Sequence, residues 1–266
     1  MEKIALADTP LVCSRIAFGT SSLHHLGSAP AREALILTAL DSGITHFDTA
    51  PYYGFGIAET TLAALAKRKS VSVTVATKVG LYPPGGADSS RLVVLARKVL
   101  GKVRPALSRP LADLSVDLAR KSLEGSLRRM QRDKVDLLLL HEPDLNLLAT
   151  DEWQRWLDAA RDKVGAVGIS GEADHVLPFI RRGNPFGRIV QTRDSVNGNE
   201  AASVREAGRA PQITFGHLAR RDPSVPVSKT LTSALHRFPG EVLLVSTRNA
   251  DRVRELARYA SAARAA

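Results

Sequence analysis

Four residues of this chain have the side-chain types of a tuned proton donor, and each stands where an apolar run ends. Asp48 and Tyr53 lie in I-T-H-F-D-T-A-P-Y-Y-G-F-G, Lys78 in V-T-V-A-T-K-V-G, and His141 in V-D-L-L-L-L-H-E-P. A free tyrosine titrates near ~10 and is a hesitant acid at neutral pH. An ammonium beside it favours the phenolate and so lowers that pKa. A carboxylate next to the ammonium keeps it charged and oriented. A histidine N–H can polarise a carbonyl oxygen and position its owner. Reducing an aldehyde or ketone requires hydride at carbon and a proton for the developing alkoxide, and this set of residues supplies the proton. The reading is therefore Tyr53 as general acid, Lys78 as its electrostatic modulator, Asp48 as the lysine's partner and His141 as the donor on the oxyanion side.

Taken singly, each residue has a plainer role. Asp48 could cap the next helix, Tyr53 could anchor a loop with Tyr52 as its competitor, and Lys78 could reach to solvent from a strand end. The argument rests on their joint placement, and so on the elements that carry them. Eight strand patterns are present, at Arg15–Thr20, Ile44–Asp48, Val73–Val79, Val135–His141, Gly165–Ser170, Arg188–Thr192, Gln212–His217 and Val242–Thr247. They are short and apolar on both faces, as buried parallel strands should be. Helical patterns lie between them, including Ala31–Ser42, Ile57–Lys67, Ser115–Arg132, Thr150–Lys163, Ala173–Arg182 and Ala250–Tyr259. Eight β-then-α units predict an α/β fold, a single (β/α)8 TIM barrel over residues 1–266. In such a barrel the carboxyl ends of the strands converge on one face, which would bring the four residues together.

Most strand starts are roughly 23 to 30 residues apart, and the third and fourth are separated by about twice that. The surplus, beginning L-Y-P-P-G-G-A-D-S-S and continuing as a basic helical stretch from Arg91 to Arg104, predicts an enlarged loop after strand three. Such a loop either covers substrate or is a surface excursion. The chain has 266 residues, 44% of them hydrophobic, which suits one large domain. No apolar run approaches the ~20 residues of a membrane helix, and the N-terminus lacks a signal-peptide pattern, so a cytoplasmic location is expected. Cys13 is the only cysteine, which excludes an intrachain disulfide and a thiolate metal site; no metal is expected. The formal charge of +10 is concentrated between Arg91 and Lys134, without aromatic interleaving or a nucleic-acid motif. A solvated basic helix face is the better reading than nucleic-acid binding.

The run F-D-T-A-P-Y-Y-G-F-G-I-A-E, with A-T-K-V-G, D-L-L-L-L-H-E-P and the later S-T-R-N-A-D-R-V-R-E-L, resembles the aldo-keto reductase family over nearly the whole chain. The resemblance implies a (β/α)8 barrel that binds a nicotinamide dinucleotide without a Rossmann domain, and it carries the family's catalytic tetrad onto Asp48, Tyr53, Lys78 and His141. No G-x-G-x-x-G fingerprint is present, in keeping with that binding mode. Near the end, Ser246 and Thr247 precede a helix whose first N–H groups form an anion site. Arg248 and Arg252, four apart, could share one helix face and grip a phosphate. That predicts NADP as cofactor, with NADPH preferred over NADH. Ser170 and Gln191 match positions that hold the nicotinamide amide in the family, and Asp48 belongs to the cofactor side as well as the catalytic set.

The sequence departs from the family pattern in places. Gly171 stands where an Asn is usual, and Asp194 where many relatives place an aromatic that stacks on nicotinamide. The strand-seven loop L-A-R-R-D-P-S-V-P-V-S is compact and little follows Tyr259, so the C-terminal substrate loop is expected to be reduced. The expected activity is NAD(P)H-dependent interconversion of a carbonyl, in an aldehyde, ketone or sugar, and an alcohol. The alternative is a cofactor-binding sensor or regulatory barrel with little turnover.

Overall fold

A computed structural model describes residues 1–68, 70–84 and 110–263. The basic stretch from Arg91 to Arg104, and most of the enlarged loop after the third strand, lie outside the described residues.

The chain opens with an antiparallel hairpin, β1 (Lys3–Ala5) and β2 (Val12–Ser14), which the sequence reading did not anticipate. Eight strands then close into a parallel barrel. In chain order they are β3 (Ile16–Gly19), β4 (His46–Asp48), β5 (Thr74–Val79), β8 (Val135–His141), β9 (Val164–Gly171), β10 (Val190–Arg193), β11 (Ile213–Phe215) and β12 (Val242–Val245). The eight expected strands correspond to these, one for one. A second hairpin, β6 (Leu81–Tyr82) with β7 (Leu111–Ala112), ties together the two described ends of the long excursion after β5.

The apolar character of both strand faces has a direct cause. Outward-facing residues pack against the helices, whereas Ala17, Ala76, Leu137, Leu139, Ile213 and Val242 fill the barrel interior. Leu6 and Cys13, on and beside the N-terminal hairpin, join this interior cluster and are fully buried. The hairpin is thus part of the barrel core.

Around the barrel run α1 (Ala29–Asp41), α2 (Ile57–Leu62), α3 (Val116–Met130), α4 (Thr150–Ala159), α5 (Ala173–Arg181), α6 (Ala202–Glu206), α7 (Val227–Arg237) and α8 (Ala250–Ala262). The first of these starts where Ser28 accepts a hydrogen bond from the Ala31 N–H and Pro30 occupies the first turn. Helix α7 takes over from the compact loop after Pro226, and α8 continues past Tyr259 to Ala262. The described part of the basic stretch is α3, and it is not simply a solvated face. Its Arg129 turns inward to Glu59, and Arg132, just beyond it, pairs with Asp136.

Candidate active site

The barrel register sets the level of each side chain. Across neighbouring strands His141 stands opposite Ser170, and Ser170 opposite Gln191; on the other side Gly19 pairs with Asp48. Gly19, Asp48 and His141 end their strands and Ser170 and Gln191 stand level with them, around a cavity of about 460 Å³ that Tyr53 also lines. Tyr53 arrives from the turn after β4, where Gly54, Phe55 and Gly56 all take positive φ (60°, 55° and 84°) and swing the chain into α2. A Cβ on Gly54 would strike the Cβ of His24, so this turn requires glycine there.

At the cavity floor Lys78 Nζ donates to Asp48 Oδ1 (2.6 Å), the Thr49 carbonyl (3.1 Å) and the Tyr53 hydroxyl (3.1 Å). Lys78 and Asp48 are each only 1% exposed, so the ion pair is fully withdrawn from water. The second carboxylate oxygen of Asp48 accepts from Gln191 Nε2 at 3.0 Å. The Tyr53 and His141 rings meet edge to face, with centroids 6.0 Å apart. The four sequence-predicted residues therefore converge, although nearly a hundred positions separate the first from the last.

The electrostatics differ from the sequence expectation in one respect. Burial pushes the Tyr53 phenol above its ordinary pKa; Lys78 pulls it back, and the charges of Asp48 and Glu142 add to the rise. The lysine lowers the pKa as expected, but burial outweighs it. Burial also opposes the charge on Lys78, yet Asp48 and Tyr53 more than offset this and the ammonium's pKa is raised. For His141, burial, with Lys78 and His175 nearby, lowers the pKa to about 3, so the imidazole is neutral at physiological pH. Its Nδ1 is buried and without a hydrogen-bond partner among the described residues.

The wall beyond the floor mixes polar groups with apolar ones, the latter including Leu81, Leu218, Leu244 and Val245. Ser170, Gly171 and Glu172 come from the end of β9, Gln191 and Arg193 from β10, and Phe215 and Gly216 from β11. Arg193 is held by Glu172 (Nε to Oε1 2.7 Å, to Oε2 3.0 Å) and its guanidinium lies 5.2 Å from the centre of the Phe215 ring. Asp194 does not stand in an aromatic's place on this wall. Strand alternation turns it away from the cavity, fully buried, where Arg205 lies 2.7 Å from its carboxylate. Phe215 is an aromatic of the wall that the sequence reading missed; its signal was the alternation in Q-I-T-F-G-H, where it ends a strand on the inward phase.

A shallow groove continues from the cavity over Ser21 and Ser246, which line both, to Ser22, His25, Thr247, Arg248 and Asn249. Ser246 and Ser22 share a hydrogen bond of 2.9 Å. Two expectations are corrected here. Asn249 is the N-cap of α8 and its side chain accepts from the Asp251 and Arg252 N–H groups, so those amides are not free. Arg248 precedes that cap and so shares no helix face with Arg252, which pairs with Glu255 at 3.3 Å and does not line the groove.

The residues fit the dinucleotide that the resemblance implies. Gln191 is 2% exposed, lines the cavity, and its Oε1 has no hydrogen-bond partner among the described residues, leaving a buried acceptor for an amide N–H. Arg248 is exposed in the groove. Among the described residues no group of three or more His, Cys, Asp or Glu is arranged to hold a metal ion.

A bracket behind the floor also escaped the sequence reading. Glu59, fully buried at the end of the F-D-T-A run, accepts from Thr77 Oγ1 (2.7 Å) and from Arg129 Nε (2.7 Å). It ties the residue before Lys78 to the helix that follows Tyr53.

Comparison with known proteins agrees with this architecture. The model of the Aldo/keto reductase family matches residues 15–177, more than half of the chain. A 6-dehydroglucose reductase of Agrobacterium fabrum is 36% identical over 179 residues, 64% of this chain and 54% of that protein. The chain spans about half the length of several curated relatives it matches. Among solved structures, an aldo-keto reductase from Bacillus halodurans in its holo form superposes with a TM-score of 0.74 at 19% identity, covering 97% of this chain and 90% of that one. An aldo-keto reductase from Klebsiella pneumoniae in complex with NADPH gives 0.65 at 19% identity, over 98% and 90%. The structures agree in fold. With the family model covering most of the barrel strands and the floor residues on them, the chain belongs to the aldo/keto reductase family.

Proposed function

We propose that this barrel is an NADP-dependent reductase of aldehyde, ketone or sugar carbonyls, working in either direction, with Tyr53 as the proton donor. The observation that carries the reading is the three-way contact of Lys78 with Asp48, Thr49 and Tyr53 at the floor of a cavity. A nicotinamide dinucleotide, when bound, would supply the hydride. The chain's own residues hold and move the proton. Burial keeps the Tyr53 phenol protonated at neutral pH, and Lys78 stabilises the phenolate left once the proton has gone to the substrate oxygen. Asp48 holds the ammonium in place, and neutral His141 can donate to the same oxygen without itself needing to titrate.

Gln191 and Ser170 would hold the carboxamide end of the dinucleotide, and Ser246, Thr247 and Arg248 the adenosine phosphate end. The named Agrobacterium relative supports a sugar-type carbonyl, and the NADPH complex of the Klebsiella structure supports the phosphorylated cofactor. The test is oxidation of NADPH and NADH by the purified chain against a panel of aldehydes, ketones and sugars. Turnover with NADPH is expected. Tight cofactor binding with no turnover across the panel would instead mark a sensor or regulatory barrel.

A further inference from the structure

Glu142 is a charged group at the cavity that has no task in the proton-transfer scheme. It follows His141 directly, lines the same cavity, and has φ of 48°, in the left-handed region that glutamate seldom occupies. Its N–H donates to the Ser170 carbonyl at 2.6 Å, which holds the backbone in that conformation. The carboxylate is exposed and makes no hydrogen bond or ion pair among the described residues. It is close enough to Tyr53 for its charge to act on the phenol.

Among the described residues, the other charges of the cavity are already matched. Glu172 holds Arg193, and Asp48 holds Lys78. A substrate carboxylate entering beside Tyr53 and His141 would therefore find no uncommitted cation among the described residues of the cavity wall, and would face the Glu142 charge. A hydroxyl beside the reacting carbonyl would find an acceptor.

We propose that Glu142 is a specificity-determining residue that accepts a hydrogen bond from a hydroxyl flanking the substrate carbonyl, so that the cavity favours hydroxylated aldehydes and ketones and rejects carboxylated ones. The inference rests on the reductase reading above and deepens it. A polar group that pairs with a substrate hydroxyl discriminates against the analogue lacking it once the bound substrate has displaced its water, because the group is then left unpaired. Like charge brought beside the Glu142 carboxylate discriminates in the same direction.

The test compares kcat/KM with NADPH for three small substrates: glyceraldehyde, propanal and glyoxylate. In the unmodified chain glyceraldehyde should lead and glyoxylate trail. Glu142→Gln keeps an acceptor but removes the charge, and should raise glyoxylate relative to propanal by about tenfold. Glu142→Leu removes both and should lower the ratio of glyceraldehyde to propanal by about tenfold as well. Should the leucine variant fail to fold, Glu142→Gly makes the same removal with a residue at home in that backbone. Substrate ratios unchanged in the variants would overturn the role of Glu142 and leave the reductase reading standing. Absence of turnover of all three by the unmodified chain would overturn both.

Discussion

At the scale of single residues, two adjacent phenols are separated by their partners. Tyr53 receives a hydrogen bond from Lys78, whereas Tyr52 packs edge-on against Phe55 with ring centroids 6.1 Å apart. Tyr53→Phe should cost about 10²–10⁴-fold in kcat, the usual share of a general acid, while cofactor still binds; Tyr52→Phe should be mild. Steady-state rates with a parallel cofactor titration check this, and the opposite ranking would move the acid to Tyr52. Lys78→Met makes a different statement. The ammonium pulls the Tyr53 pKa down against burial, so its removal lets that pKa rise further. The phenol then stays protonated to higher pH, and the alkaline limb of the kcat profile should move up as the overall rate falls. Because Lys78→Met strands a buried carboxylate, the double variant Lys78→Met/Asp48→Asn serves as the folding control. An unmoved alkaline limb in both would mean that the pair only holds the barrel together.

At the scale of elements, strand ends and helix starts decide which side chains can act. Arg248 lies in the loop before the Asn249 cap and lines the groove that leads from the cavity; Arg252 lies within α8 and is engaged by Glu255. Their contributions to cofactor choice should therefore be unequal. NADPH is expected to bind about ten- to a hundredfold tighter than NADH, or roughly 1.4–2.8 kcal/mol. Arg248→Ala should remove most of that preference by weakening NADPH, and Arg252→Ala should remove little. Fluorescence titration of both cofactors measures it; equal affinities in the unmodified chain would sink the phosphate assignment. The Glu59 bracket belongs to this scale too. Arg129 reaches Glu59 by passing close to Gly56 and Gly125, where an added Cβ would crowd its side chain. The distance between Lys78 and Tyr53 is in this way fixed from behind, through α2 and α3.

For the molecule as a whole, buried histidines set the acid limit. Burial lowers the pKa of both His46 and His217 to about 4, and neither is more than 2% exposed. Between their unfolded pKa of ~6.5 and the folded value, the unfolded chain binds more protons than the folded one. Stability should therefore fall as the pH drops from 6.5 to 4, by on the order of 3 kcal/mol for each of these two histidines, and His141, lowered to about 3, acts in the same sense. Melting temperatures across that range test this. A transition indifferent to pH from 6.5 to 4.5 would show that these imidazoles find proton acceptors on folding. No helix among the described residues is long and apolar enough to cross a membrane.

The barrel and its floor were legible in the chain because both depend on local order. Eight short apolar runs alternating with helical patterns specify a parallel barrel through their faces alone, and a polar residue at the end of a run marks the converging face. Asp48, Lys78 and His141 could be read by that rule, and Tyr53 from the turn it opens. What needed tertiary structure were the pairings between segments far apart in sequence. Nothing local in V-A-T-K or I-A-E announces that Thr77 and Glu59 meet, or that Gln191 reaches Asp48 across 143 positions. The phase of a strand decides whether Asp194 or Arg193 faces the cavity, and one residue of uncertainty in that phase exchanges them. Nor can spacing foretell the final pKa of Tyr53, because burial is set by every segment that packs over the site, and it outweighs the pull of the Lys78 ammonium that the sequence made visible.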